Sequence, residues 1–205
     1  MGIGSFQLSD EQVALADSVK RLCSHFDEKY WILEDQERRY PSEFVDELTK
    51  TGLLSVLIPE EYGGGGGTLV DAAIILETIN STGATGLPAH AQMYTMGMLV
   101  RHGSPDQKSR YLPRIASGEI RLQSFAITEA DAGSDTTKIS TRAVRDGDFY
   151  IINGAKMWTS RVQHSDLMFI LARSLAAFAS KPGCSPKSYS SAALKRIKLA
   201  ASSWA

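Results

Sequence analysis

Phe125-Ala126-Ile127-Thr128-Glu129-Ala130-Asp131-Ala132-Gly133-Ser134-Asp135, with Asn153-Gly154-Ala155-Lys156-Met157-Trp158-Thr159-Ser160 downstream, decides how the rest of this chain is read. The first stretch sets small and hydroxyl-bearing residues (Thr128, Gly133 and Ser134) just beyond an apolar strand. A backbone with so little side-chain bulk can approach a phosphate or a flat heterocycle and offer it N–H donors. The second stretch brings an indole and two hydroxyls (Trp158, Thr159 and Ser160) to the end of a strand, where they can stack on a flat ring and hydrogen-bond its edge. Read singly, Phe125 and Trp158 are core residues of alternating strands, and Thr128 and Ser134 cap turns around Asp131 and Asp135. Two such stretches in one order shift the weight toward a bound ligand.

Upstream of these motifs the residues through Gly118 read as helices with marked ends. Ser9-Asp10-Glu11-Gln12 is a capping box, flanked by Leu8 and Val13 as a hydrophobic staple, and Leu15, Val19, Leu22 and Phe26 follow at helical spacing. Pro41 suits a first turn, Phe44, Val45 and Leu48 form a stripe, and Gly52 is a stop. A third helix starts at Thr68 with Asp71 at the reciprocal position, a fourth runs from about Ala89 to His102, and a fifth is capped by Ser104 with Pro105 and Gln107. The run Gly63-Gly64-Gly65-Gly66-Gly67 has no Lys-Ser/Thr pair after it, which leaves a flexible turn rather than a phosphate loop.

Past Gly118 the period becomes alternating. Strands are expected at Ile120–Ala126, Thr141–Arg145, Phe149–Ile152, Ala155–Thr159 and Leu167–Ala172, with Asp146-Gly147 and Asn153-Gly154 as hairpin turns. Helices followed by strands imply segregated layers, an α+β fold rather than a doubly wound one. Residues 174–205 differ again: eight serines, eight alanines, five basic residues (Lys181, Lys187, Lys195, Arg196, Lys198) and no acid. Ala192–Leu199 could form a short basic helix there, and the abrupt shift reads as an aberrant or poorly ordered tail.

The 205 residues, 43% apolar with net charge −1, suit a soluble globular protein and give no basic stripe for nucleic acid. Cys23 and Cys184 read as reduced thiols, and His90, His102 and His164 have no diagnostic ligand spacing, so no metal is expected. No apolar run reaches membrane-spanning length, and residues 1–6 lack a targeting pattern. A cytoplasmic location follows as the default, with the mitochondrial matrix the alternative for a eukaryotic source.

Together, the two motifs resemble the flavin-binding signature of acyl-CoA dehydrogenases, and Pro59-Glu60-Glu61-Tyr62-Gly63-Gly64 resembles a turn common in that family. The resemblance runs from about Phe6 to Arg173. It implies an N-terminal helical domain over residues 1–119, a partial antiparallel β domain over 120–173 carrying the flavin motifs, and a distinct tail over 174–205. It also implies FAD as cofactor. Phe125, Ile127 and Thr128 would contact the ring and its polar edge. Gly133 and Ser134 would approach the pyrophosphate, Ser134 lying also near the CoA moiety, while Trp158 packs on the flavin with Thr159 and Ser160 beside it. The family usually has Ile-Thr where Thr159-Ser160 stand, so the hydroxyl near the flavin's reactive nitrogen falls to Ser160.

The activity implied is α,β-dehydrogenation of an acyl-CoA thioester, with an electron-transfer flavoprotein as a candidate acceptor and a homo-oligomer as the family's state. No catalytic residue is assigned within the chain. The family's glutamate base comes from a C-terminal domain to which nothing after Arg173 corresponds, so a truncated form lacking that base is expected. Glu129 lies in the cofactor loop at a family position without that role. Met93, Met96 and Met98 can line an acyl tunnel or simply fill the core. Two alternatives stay open: a non-catalytic fragment that binds partners or flavin weakly, and an acyl-CoA oxidase-like flavoenzyme.

Overall fold

The computed structural model describes residues 7–146 and 149–174. The Asp146-Gly147 turn, the tail beyond Ser174 with Cys184, and the N-terminal six residues therefore fall outside the described part. The chain divides within its first strand into two compact units: residues through Gln123 together with His164–Asp166, and Ser124–Gln163 together with the residues from Leu167 onward.

The first unit is helical. α1 (Asp10–Cys23) opens on the expected capping box, Ser9 and Gln12 each satisfying the other's backbone N–H. The apolar half of the start is looser, with Val13 47% exposed. α3 (Ser42–Lys50) buries Phe44, Val45 and Leu48, and Gly52 follows it with φ +75°, the left-handed stop that glycine adopts without a Cβ penalty. α4 (Leu69–Ser81) begins with Thr68 and Asp71 in a second capping box. α5 (Leu87–His102) and α6 (Pro105–Ala116) complete the set, α6 with Ser104 and Gln107 as a third box. Phe44, Leu48, Leu54, Ile58, Ile75, Ile79, Met96, Leu112 and Ile115 are fully buried and form the centre of this unit. Met93 and Met96 belong to that core.

One helix is absent from the sequence-based expectation. α2 (Glu28–Gln36) is capped by Asp27, whose carboxylate accepts the Tyr30 N–H at 2.9 Å, yet none of its residues is buried. What fixes it is aromatic: Phe26, Tyr30, Trp31 and Phe44 meet edge to face with centroids about 5 Å apart.

The glycine run is ordered, contrary to the flexible turn expected. Gly65, Gly66 and Gly67 donate to the carbonyls of Ser55, Ile58 and Val56 at 3.1, 2.9 and 2.7 Å, laying backbone directly on backbone. A Cβ on Gly64 would stand 2.2 Å from the Ile58 carbonyl oxygen, so only glycine permits the approach. This turn is a packed wall of the helical unit.

Helices give way to strands as expected. β1 (Leu122–Ala126) pairs with β4 (Leu167–Ile170), and β2 (Arg142–Asp146) sits between β3 (Phe149–Asn153) and β5 (Arg173–Ser174). The antiparallel pairing is realised between β2 and β3, in a register that sets Val144 opposite Ile151, whereas β5 joins β2 in parallel. Ala155–Thr159 does not form the expected strand, and Asn153-Gly154 is not a hairpin turn. Gly154 is needed for another reason, because a Cβ there would lie 2.3 Å from the Thr141 hydroxyl. In the first unit, His164 stacks on Tyr40 at 4.2 Å between centroids, and the Asp166 carboxylate accepts the Arg121 N–H at 2.7 Å.

Candidate functional site

In the second unit, the two motifs lie on segments that are fastened to each other. β1 ends at Ala126, and Ile127 and Thr128 follow half-buried. Glu129 and Ala132 then exchange backbone hydrogen bonds of 3.0 and 3.2 Å across a tight turn, which delivers Gly133 and Ser134 to the surface. Asp135 closes the loop by accepting from the Thr137 N–H at 3.2 Å and from its hydroxyl. The N–H groups of Thr128, Gly133 and Ser134 have no hydrogen-bond partner among the described residues, and a Cβ on Gly133 would meet nothing within 4 Å.

The second segment is tied to the first by side chain and by backbone. The Met157 N–H donates to the Thr128 carbonyl at 2.8 Å, and Lys156 Nζ donates to the Ile127 carbonyl at 2.7 Å and to Glu129 Oε1 at 2.8 Å. Glu129 Oε1 also accepts the Thr141 N–H at 3.0 Å, while Oε2 accepts the Ser140 N–H and hydroxyl, each at 2.6 Å. Both charged side chains are sequestered, Lys156 at 10% and Glu129 at 6% exposure. Burial by itself raises the Glu129 carboxyl, but the hydrogen bonds from Lys156, Ser140 and Thr141 outweigh it and hold the group far below its ordinary range. A carboxylate so firmly ionised is a poor proton acceptor, since a general base works best with a pKa near the working pH. Its four hydrogen bonds and depressed carboxyl suit Glu129 to a structural anion.

Beyond this fastening the chain presents an open apolar surface. Trp158 is 80% exposed and takes φ +58°, a left-handed conformation that costs an ordinary residue about 1–2 kcal/mol. Met157 beside it is 39% exposed, Thr159 is half-buried and Ser160 is exposed. Phe125 meets Phe169 edge to face at 6.3 Å. The structure therefore brings Thr128, Met157 and, through Met157, Trp158 together, whereas Gly133 and Ser134 lie across the Glu129–Ala132 turn. Sequence reasoning places Lys156 within the second motif and Thr141 at a strand start, but assigns neither of them, nor Ser140, a part in the site. Glu129 and Lys156 stand 27 residues apart, and no local pattern links them.

These features suit a dinucleotide carrying a flat ring. Unpaired N–H groups on a loop of small residues match pyrophosphate oxygens, and an indole held out of the core offers a stacking face. Among the described residues no helix is long and apolar enough to cross a membrane, and no cluster of three or more His, Cys, Asp or Glu could hold a metal ion.

Comparison with known proteins agrees with this arrangement. The profile of the acyl-CoA dehydrogenase N-terminal domain matches residues 9–119, and that of the middle domain of the same family matches residues 124–195. The chain belongs to the acyl-CoA dehydrogenase family. The second match continues past Arg173 into the serine- and alanine-rich segment, farther than the motifs carried. An acyl-CoA dehydrogenase of Mycobacterium tuberculosis is 35% identical over 171 residues, which cover 83% of this chain and 44% of that protein. Cyclohex-1-ene-1-carbonyl-CoA dehydrogenase of Syntrophus aciditrophicus is 36% identical over 167 residues, 81% of this chain and 40% of that protein. Among solved structures, an acyl-CoA dehydrogenase of Bacillus anthracis complexed with FAD superposes with a TM-score of 0.72 at 28% identity, covering 83% of this chain and 30% of that one. The chain spans less than half the length of the curated relatives it matches.

Proposed function

We propose that this chain carries the cofactor-facing half of an FAD-dependent acyl-CoA dehydrogenase that introduces a 2,3-double bond into an acyl-CoA thioester. The observation that carries the reading is Trp158, an indole kept 80% exposed in a left-handed backbone on a segment hydrogen-bonded to the Thr128 strand end. Nothing in the stability of the unit calls for that arrangement, whereas a flat ligand does.

In this reading Phe125, Ile127 and Thr128 border the isoalloxazine ring, with the Thr128 N–H and hydroxyl toward its polar edge. Gly133 and Ser134 offer their N–H groups to the pyrophosphate, and Ser134 lies nearest the CoA portion of the substrate. Trp158 covers a face of the ring and excludes water, while Thr159 and Ser160 supply hydroxyls at its edge. When bound, FAD would supply the acceptor for a hydride from the substrate's β carbon, while the α proton would pass to a base that is not assigned among the described residues. Glu129 takes no part in that proton transfer, because its lone pairs are engaged and its carboxyl stays ionised.

An electron-transfer flavoprotein is the proposed acceptor, and self-association the proposed state. The test is spectroscopic. The purified protein should take up FAD and show visible flavin absorbance, and anaerobic bleaching on addition of acyl-CoA thioesters would show in addition that a base for the α proton is at hand. A yellow protein that no acyl-CoA bleaches would reduce the function to cofactor binding. Bleaching that reverses in air with consumption of oxygen would move the assignment to an oxidase, and a colourless protein that takes up no added FAD would refute the reading.

A further inference from the structure

We infer that Glu129 and Lys156 form a positioning clasp, which sets the register between the two cofactor-facing segments before any ligand arrives; the cofactor part of this rests on the flavin reading above.

The clasp joins the stretch after β1 to the paired strands β2 and β3, to which no recorded strand pairing connects it. From Glu129, bonds run to Ser140 and Thr141 at the start of β2 and to Lys156 beyond β3. Lys156 in turn reaches back to the Ile127 carbonyl at 2.7 Å, one peptide before Thr128. Between residues 154 and 159 there is no strand, so no ladder fixes that segment. Its recorded ties to the Ile127–Glu129 stretch are the two Lys156 bonds and the Met157 N–H to the Thr128 carbonyl at 2.8 Å.

The energetics point to register rather than bulk stability. Removing two charges from water is costly, and a buried ion pair is often no more stabilising than an apolar pair of the same volume. What such a pair does provide is one geometry, since each charge tolerates burial only where its partner and its remaining hydrogen bonds are in place. Here all four recorded bonds to the carboxylate come from fixed positions, two of them backbone N–H groups. Trp158, 80% exposed, has little packing of its own to hold it and depends on its neighbours. With Lys156 released, Met157 and Trp158 are free to swing, and Thr128 and the indole no longer present a common site.

The test compares the full 205-residue chain with Lys156→Met, Glu129→Gln, the double variant and the conservative Lys156→Arg. Four quantities are followed: FAD affinity by equilibrium dialysis, the fine structure of the bound flavin's visible spectrum, hydrogen exchange of the Met157 amide without flavin, and thermal melting of the helices. Lys156→Met, which strands a buried carboxylate, should weaken FAD binding and accelerate Met157 exchange by about tenfold or more, with helical melting unchanged. Lys156→Arg should restore much of both, and the double variant, having no stranded charge, should fall between. If the unsubstituted chain takes up no FAD, the flavin reading fails, and Met157 exchange alone then decides the clasp. Unchanged Met157 exchange in Lys156→Met overturns the clasp. Faster exchange with undiminished FAD affinity overturns its link to the cofactor, and equal loss of helical melting overturns positioning in favour of general stability.

Discussion

Replacing Trp158 by alanine separates a ligand platform from a packing residue. An indole offers roughly 200 Å² of surface, and Trp158 keeps 80% of its own in contact with solvent. A ring laid on one face would cover about half of what is exposed, on the order of 80 Å², which at about 25 cal/mol per Å² is worth about 2 kcal/mol. Trp158→Ala should therefore weaken FAD retention by about 30-fold. The same substitution removes almost no buried surface, so the melting of the flavin-free chain should move by less than about 0.5 kcal/mol. Trp158→Gly sharpens the contrast, since it relieves the left-handed backbone and should raise flavin-free stability by about 1 kcal/mol while losing the cofactor just as readily. Flavin affinity is read by dialysis and stability by far-ultraviolet circular dichroism in urea. Parallel loss of both quantities in Trp158→Ala, or retention of FAD within about threefold, would refute the platform argument.

Three further outcomes follow from other parts of the chain. Ser9→Ala removes the hydroxyl that accepts the Gln12 N–H at 3.2 Å and should cost roughly 1 kcal/mol in urea denaturation. Gly64→Ala and Gly97→Ala should have opposite signs. The first forces a Cβ within 2.2 Å of the Ile58 carbonyl oxygen and should destabilise by about 2 kcal/mol, whereas the second fills open space in α5 and should stabilise by about 0.5–1 kcal/mol, both measurable as shifts in urea midpoint. The Glu129 carboxyl is depressed in the folded state, so its contribution is fully present above the ordinary value of 4.5 and is lost only as pH falls well below it. Acid unfolding of the second unit should accordingly become less steep in Glu129→Gln, and an unchanged profile would assign acid sensitivity to other carboxylates.

The helical half was legible because its ends are written locally. Ser9, Thr68 and Ser104 each find their partner three residues on, and all three boxes form. α2 escaped because Asp27 has Tyr30, not an acid or amide, at that position, and because Ile32 and Leu33 remain 47% and 44% exposed, which blurs any stripe. The glycine run misled for the opposite reason. Glycine permits both looseness and close approach, and only the carbonyls of Ser55, Val56 and Ile58, which carry no side-chain signal, decide which. The same holds in the second unit, where the pattern of Ala155–Thr159 suggested a strand but the segment is held by Lys156 and the Met157 N–H. The motif residues that face outward were readable as types, whereas the groups that hold them were not, since their partners lie 11 to 29 residues away.

Gln12 carries a constraint that reaches beyond its own helix. Its Oε1 accepts the Ser9 N–H at 3.1 Å while its Nε2 donates to Asp71 Oδ1 at 3.2 Å, and Asp71 uses Oδ2 to accept the Thr68 N–H at 2.7 Å. Glutamate would serve the Ser9 N–H as well as glutamine does, but it would turn a second carboxylate toward Asp71 where a donor now stands. The amide at position 12 is therefore dictated by the start of α4 rather than by that of α1. Gln12→Glu should be tolerated once Asp71 is replaced by asparagine and penalised otherwise, so that these two sites, 59 residues apart, are free to vary only as a pair.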